Sequence, residues 1–187
     1  MNIEIISGSP RKESITKRVA LYLQNNLSEC TSHQIGLINL YDWNLPPINT
    51  VFSSIENTPD EFKPLTKRIF DANAFILVSP EYNGSYSSAM KNLLDHFPKQ
   101  HHKAFGIVTA SPGGMGGMRA AQHMQLLVNA LFGISSPYLL LVPAVDKKFD
   151  ASGKLLDEKF EHSIHNFTSE FLWLAESIFD KRQKDRC

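Results

Sequence analysis

The stretch Ile3-Glu4-Ile5-Ile6-Ser7-Gly8-Ser9-Pro10-Arg11-Lys12-Glu13-Ser14-Ile15-Thr16 decides how this chain is read. An apolar run ends in small hydroxyl residues and one arginine, just where a helix should begin. A helix N-terminus presents backbone N–H groups that lack intrahelical partners, together with a partial positive charge. Hydroxyls from Ser9, Ser14 and Thr16, with the Arg11 guanidinium, would complete a pocket there for a phosphate dianion. The loop has no Gly-Lys-Ser/Thr ending and no Gly-x-Gly-x-x-Gly spacing, so neither a Walker loop nor a dinucleotide fingerprint is written here. A terminal monophosphate is the better match. The competing reading is that Ser9 or Ser14 merely caps the helix and Arg11 is solvated.

Working outward, strand-like runs at 2–7, 33–40, 74–79, 104–109 and from 134 or 135 to 142 alternate with helix-like segments at 15–28, 60–72, 87–96 and 116–132. Ala74-Phe75-Ile76-Leu77-Val78 and Ala104-Phe105-Gly106-Ile107-Val108 are apolar on both alternating faces, as central strands covered by helices on both sides must be. A last helix begins near Asp157 and places Phe160, Ile164, Phe167, Phe171, Leu174 and Ile178 at three- and four-residue steps, a stripe facing core. The pattern predicts an α/β fold: a flavodoxin-like three-layer sandwich with a five-stranded parallel sheet in the order 2-1-3-4-5. Ligands of such sheets sit beyond the carboxyl ends of the strands, where the strand order reverses. Residues 42–58, with Leu45-Pro46-Pro47, form a long loop that could cover a site edge or reach a partner subunit.

Composition narrows the function. The chain has 187 residues and no break that would mark a second domain, so one domain over 1–187 is expected. Nineteen lysines and arginines balance nineteen aspartates and glutamates, which removes the electrostatic case for nucleic acid or an anionic membrane. Cys30 and Cys187 have neither metal-site spacing nor disulfide-scaffold density, and with no spanning segment a cytoplasmic location is expected. The histidine pairs His101-His102 and His162/His165 lack the further ligands a metal would need, so no metal is expected.

Two more loops follow central strands and would gather on the same rim. Ser79-Pro80-Glu81-Tyr82-Asn83-Gly84-Ser85-Tyr86 turns sharply out of a buried strand and offers an aromatic face and an amide. Ala110-Ser111-Pro112-Gly113-Gly114-Met115-Gly116-Gly117 holds four of the chain's ten glycines, backbone freedom suited to close approach to a flat ligand or to a movable lid. Met115 and Met118 are adaptable thioethers that could border a promiscuous site.

The three motifs together, extended through Met118 and Arg119, resemble the NADPH-dependent FMN reductase family, the flavodoxin-like group of azobenzene, chromate and quinone reductases. The resemblance runs from Ile3 to about Val142. It implies that Ser9, Arg11, Ser14, Ile15 and Thr16 hold the FMN phosphate, that Pro80, Glu81, Tyr82, Asn83 and Gly84 line the ribityl chain and isoalloxazine, and that Ser111, Gly113 and Gly114 close the other edge. Many members carry asparagine where this chain has Thr16, whose hydroxyl can still donate to phosphate. The resemblance also implies NADPH or NADH as co-substrate, ping-pong transfer to a small-molecule acceptor, and a homodimer or homotetramer. Within that scheme the flavin carries the chemistry, no protein acid or base is catalytic, and Glu81 has a positioning or capping role. The rival readings are an FMN electron carrier that never meets a nicotinamide and a flavin-binding regulatory module. Carriers resemble each other in being strongly acidic, whereas this chain balances its charges.

Overall fold

The computed structural model describes residues 1–184. Strands β1 (Asn2–Ser7), β2 (Gln34–Asn39), β3 (Ala74–Pro80), β4 (Ala104–Ser111), β5 (Ile134–Ser135) and β6 (Leu140–Pro143) all pair in parallel. Helices α1 (Ile15–Cys30), α2 (Lys63–Asp71), α3 (Ser88–Asp95), α4 (Met118–Ala130), the single turn α5 (Val145–Lys148) and α6 (Glu161–Lys184) lie between and after them. The sheet order is β2-β1-β3-β4-β5, with β6 also paired to β4. This is the flavodoxin-like α/β sandwich expected from the alternation of elements.

Two apolar layers hold it together. Ile6, Leu77, Phe75, Phe105 and Ile107 on one sheet face pack with Leu65 and Ile69 of α2, Met90 and Leu93 of α3, and Met124 and Val128 of α4. On the other face Ile3, Ile5, Ile76, Val78 and Val108 pack with Val19, Leu23 and Leu27 of α1 and with Ile164, Phe167 and Phe171 of α6. All seven residues of β3 are buried, which explains why its sequence shows no alternation. The stripe on the last helix is core, as expected, and Gly106 makes room for it. A Cβ at Gly106 would come within 2.9 Å of the Phe167 ring and 3.0 Å of Phe171. Phe97, just beyond α3, is core: it is 5% exposed and packs edge-on to Phe52 and Phe70.

The fifth strand differs from expectation. The single run from 134 or 135 to 142 divides into β5 and β6, because five steps of chain from Ser135 to Leu140 lie opposite only three of β4, from Phe105 to Val108. The excess loops out around Pro137, which has no N–H to give to the ladder. Helix boundaries moved for equally local reasons. Gly116 and Gly117 take positive φ of 60° and 86°, so α4 starts at Met118. The segment from Asp60 opens with a 3-10 turn before α2.

Lys103, at the entry to β4, is 8% exposed, donates to the Ile69 carbonyl at 3.1 Å and lies over the Phe75 ring. Burial, followed by the nearby Arg182 charge, pushes its ammonium down to about 8 from 10.5. Between those values the unfolded chain carries a proton that the folded chain has released, so stability rises with pH across this window. The gain by pH 10.5 should be on the order of 3 kcal/mol at most. Urea melts of the parent and of Lys103→Met from pH 7 to 10.5 should show the parent closing a stability gap that is widest at pH 7. A constant gap would show that the lysine charge is not the cause.

Candidate functional site

The loops after β1, β3 and β4 meet in a pocket of about 260 Å³ lined by Ser9, Arg11, Glu13, Ser14, Ile15, Thr16, Pro80, Glu81, Tyr82, Ala110, Ser111 and Pro112. Parallel strands deliver all three loops to one end of the sheet, and β1 lies directly beside β3, which lies beside β4.

The first loop leads into the N-terminus of α1. Ser14 is the N-cap of α1: its Oγ accepts from Lys17 N at 3.1 Å, and no acidic residue occupies the first turn. That leaves the N–H groups of Ile15 and Thr16 directed out of the helix end, and the Ser14 O–H available to donate. Ser9 is buried and its Oγ accepts from Arg11 N at 3.3 Å, which folds the loop back on itself. The Arg11 guanidinium lies 4.8 Å from the centroid of the Tyr82 ring, joining the first loop to the second by a cation–π contact.

The second loop leaves β3 through a tight turn in which Tyr82 N donates to Ser85 O (2.8 Å) and Ser85 N to Tyr82 O (3.1 Å). Asn83 and Gly84 both have positive φ, 50° and 81°, the requirement of a type I′ turn and the reason for the Asn-Gly pair. Ser87 closes the loop as the N-cap of α3. Its Oγ accepts from Met90 N at 3.1 Å and donates to the Gly8 carbonyl, and its own N–H donates to Ser79 Oγ at 3.0 Å. Burial holds the neighbouring Tyr86 phenol above its ordinary value.

Glu81 crosses to the third loop. Its Oε2 accepts from Ala120 N at 3.3 Å and its Oε1 lies 3.6 Å from Arg119 Nη1. The residue before α4 is Gly117, which has no side chain to cap the helix, so a carboxylate 36 residues earlier in sequence does it instead. Gly117 must be glycine on space as well, since a Cβ would sit 2.8 Å from Thr109 Cβ. The α4 face continues along the turn: Arg119 Cδ lies over Gly84, and His123 Nδ1 is 3.0 Å from Ser85 Oγ.

Of the residues singled out in the sequence, Ser9, Arg11, Ser14, Ile15, Thr16, Pro80, Glu81, Tyr82 and Ser111 share the pocket wall. Asn83 and Gly84 form the turn beside it, while Gly113 and Gly114 are exposed on the glycine loop, with nothing within 4 Å of a Cβ at Gly114. Glu13, Ala110 and Pro112, which belong to the quoted loops but were assigned no role there, also line the wall. Arg119 belonged to a quoted motif but acquires a role only through Glu81. Among the described residues no group of three or more His, Cys, Asp or Glu side chains could hold a metal ion.

The chain's likenesses agree with this geometry. A family model for NADPH-dependent FMN reductases matches residues 1–144. FMN-dependent NADPH-azoreductase of Staphylococcus aureus is 29% identical over 176 residues, spanning 90% of this chain and 92% of that one; the Staphylococcus saprophyticus enzyme is 28% identical with the same coverage. Among solved structures, FerB, a flavoenzyme NAD(P)H:(acceptor) oxidoreductase from Paracoccus denitrificans, superposes with a TM-score of 0.80 at 22% identity, covering 94% of this chain and 97% of that one. A flavodoxin variant from Pseudomonas aeruginosa gives 0.57 at 18% identity, covering 91% and 99%; both structures speak to the fold. The family match spans the three loops and every strand, and on it the chain belongs to the NADPH-dependent FMN reductase family, enzymes that use NADPH with FMN.

Proposed function

We propose that the pocket between the three loops holds FMN by its phosphate end and that the enzyme passes reducing equivalents from NADPH or NADH to a small-molecule acceptor in a ping-pong cycle. The observation that carries this reading is the convergence of the α1 N-terminus, Arg11 and Tyr82 on one pocket. Ser9, Ser14 and Thr16 hydroxyls, the Ile15 and Thr16 N–H groups and Arg11 suit a phosphate dianion. A volume of about 260 Å³ falls just below the usual range for whole small-molecule sites, so it suits the phosphate and polyol, with the ring at the mouth near Tyr82 and Ser111. Bound FMN would supply reversible hydride chemistry. This chain's own part is to hold and orient: Arg11 offsets the phosphate charge, Tyr82 offers an aromatic face, and Glu81 fixes the second loop to α4.

Because Glu81 already serves the Ala120 N–H and Arg119, it is a positioning residue and not a proton donor to substrate. The acceptor classes that fit are quinones, azo compounds, free flavin and metal-ion species. The charge balance argues against an acidic electron carrier. The whole chain would act as one cytoplasmic domain, and two copies would associate near the loop after β3 and α3.

Arg11→Ala removes a charge-assisted contact worth about 1.5–3 kcal/mol, so FMN affinity should fall roughly ten- to a hundredfold while riboflavin affinity, weak already, changes little. Flavin fluorescence titration measures both, and equal initial affinity for FMN and riboflavin would remove the phosphate cradle from the account. With FMN saturating, rates against NADPH at several quinone concentrations should give parallel double-reciprocal lines. Glu81→Gln should retain turnover because an amide oxygen can still accept from Ala120; intersecting lines or a dead Glu81→Gln enzyme would contradict the scheme. Light scattering at micromolar concentration should return twice or four times the chain mass, and a monomer mass would refute association.

A further inference from the structure

Beside the cofactor pocket, and sharing Glu13, Ser14 and Ile15 with it, lies a second cavity of about 300 Å³, lined also by Lys12, Lys17, Arg18, Leu21 and Ala151. Ser14, Lys17, Arg18 and Leu21 recur at steps of three and four, so the start of α1 presents one face to it. The opposite wall is fixed to that helix. Asp150 N donates to Lys154 O at 3.0 Å and Gly153 N to Asp150 O at 3.1 Å, closing the turn that carries Ala151. Gly153 has φ 86°, and a Cβ there would come within 2.7 Å of Leu21 Cβ, so the turn lies directly on α1. Arg18 Nη1 donates to Phe149 O at 3.0 Å and ties the same face to the chain entering the turn.

Three cations face this cavity against one carboxylate, Glu13. The nearby Asp150 carboxylate is committed inside its own turn, where one oxygen accepts from Ser152 N, Ser152 Oγ and Lys154 N. Elsewhere basic side chains are matched to acids, Lys63 to Asp60, Lys67 to Asp71, Arg68 to Glu4, Lys91 to Asp95 and Lys148 to Asp157. Among the described residues Lys12, Lys17 and Arg18 make no ion pair, and Lys17 and Arg18 are half-buried. A cleft lined by one sign of charge concentrates its field on an incoming ion of the other sign. Arg11 already serves the cofactor pocket, so these three cations are surplus to it.

We propose that this cavity takes the adenosine end of NADPH, with Lys12, Lys17 and Arg18 holding its 2′-phosphate and Leu21 and Ala151 beneath the adenine, and that it sets a preference for NADPH over NADH. The proposal rests on the FMN reading above for the place of the nicotinamide, and on the cavity's own charge for the anion. In FMN one ribityl chain separates ring from phosphate, whereas in NADPH two riboses and a pyrophosphate separate nicotinamide from adenine. A donor whose nicotinamide meets the flavin ring near Tyr82 and Ser111 and which runs back along the cofactor therefore overshoots the FMN phosphate. Its adenosine arrives where the face of α1 beyond Ser14 and Ile15 is basic. NADH carries a hydroxyl in place of the 2′-phosphate, so only NADPH gains the charge-assisted contacts.

The test uses 2′,5′-ADP and 5′-AMP as probes, since they differ only in the 2′-phosphate. Titrated calorimetrically into FMN-saturated protein, 2′,5′-ADP should bind at least about tenfold more tightly than 5′-AMP. Lys12→Gln/Lys17→Gln should abolish that difference. In turnover the same double variant should raise KM for NADPH by about tenfold or more while KM for NADH, kcat and FMN affinity stay unchanged. Lys99→Gln, which removes one positive charge ahead of β4, should alter none of these. Equal affinity for the two nucleotides in the parent, or a double variant in which KM for NADPH stays put or rises together with that for NADH, would overturn the proposal. A matching loss of FMN affinity would overturn it too, by giving the two lysines to the cofactor. Failure of FMN to bind would sink the cofactor reading alone, because the nucleotide pair is titrated into FMN-free protein as well.

Discussion

The buried hydroxyl of Ser87 is the point on which the site depends. It donates to the carbonyl of Gly8, accepts from Met90 N, and stands beside an N–H that is held by Ser79. Gly8 N in turn donates to Val78 O at 2.8 Å, and a Cβ at Gly8 would come within 2.6 Å of Met90 Cε. The end of β1, the end of β3 and the start of α3 are thus joined by one hydroxyl and one missing side chain. With its bonds made in the dry interior, any shift of the first loop would strand a polar group there, a loss larger than the net worth of the bonds themselves. The geometry of the first loop is therefore inherited from the core and not from the loop's own exposed residues.

A second set of contacts fixes the far side. Glu81, Gly84 and Ser85 each meet the first turns of α4, through Ala120 and Arg119, Arg119 Cδ, and His123. None is strong alone; Arg119 is well exposed and its ion pair with Glu81 is long. Their effect is geometric, because the turn at Asn83 and Gly84 and the helix after the glycine loop share one set of contacts.

The strands and the start of α1 were legible because they obey local rules. Val78 ends an apolar run too uniform for an exposed strand, and Ser14 stands where a cap must stand. The division of the last strand was also written locally, in Pro137, but a run of apolar residues on both sides of it concealed the break. Glu81 and Arg119 lie 38 positions apart, so their spacing carries no signal along the chain. Gly113 and Gly114 show the limit of reading composition: glycines announce conformational freedom, not the direction in which a loop will use it.

The interruption at Pro137 has an effect at the margin of the sheet. β5 offers only Ile134 and Ser135, so the outer edge of the sheet beyond β4 is two residues long there. An unpaired strand edge is a template on which another chain can add a strand, and the hazard grows with its length and flatness. By breaking the edge strand around Pro137, the chain leaves that margin as one segment of two residues and one of four, each too short to seed intermolecular sheet growth.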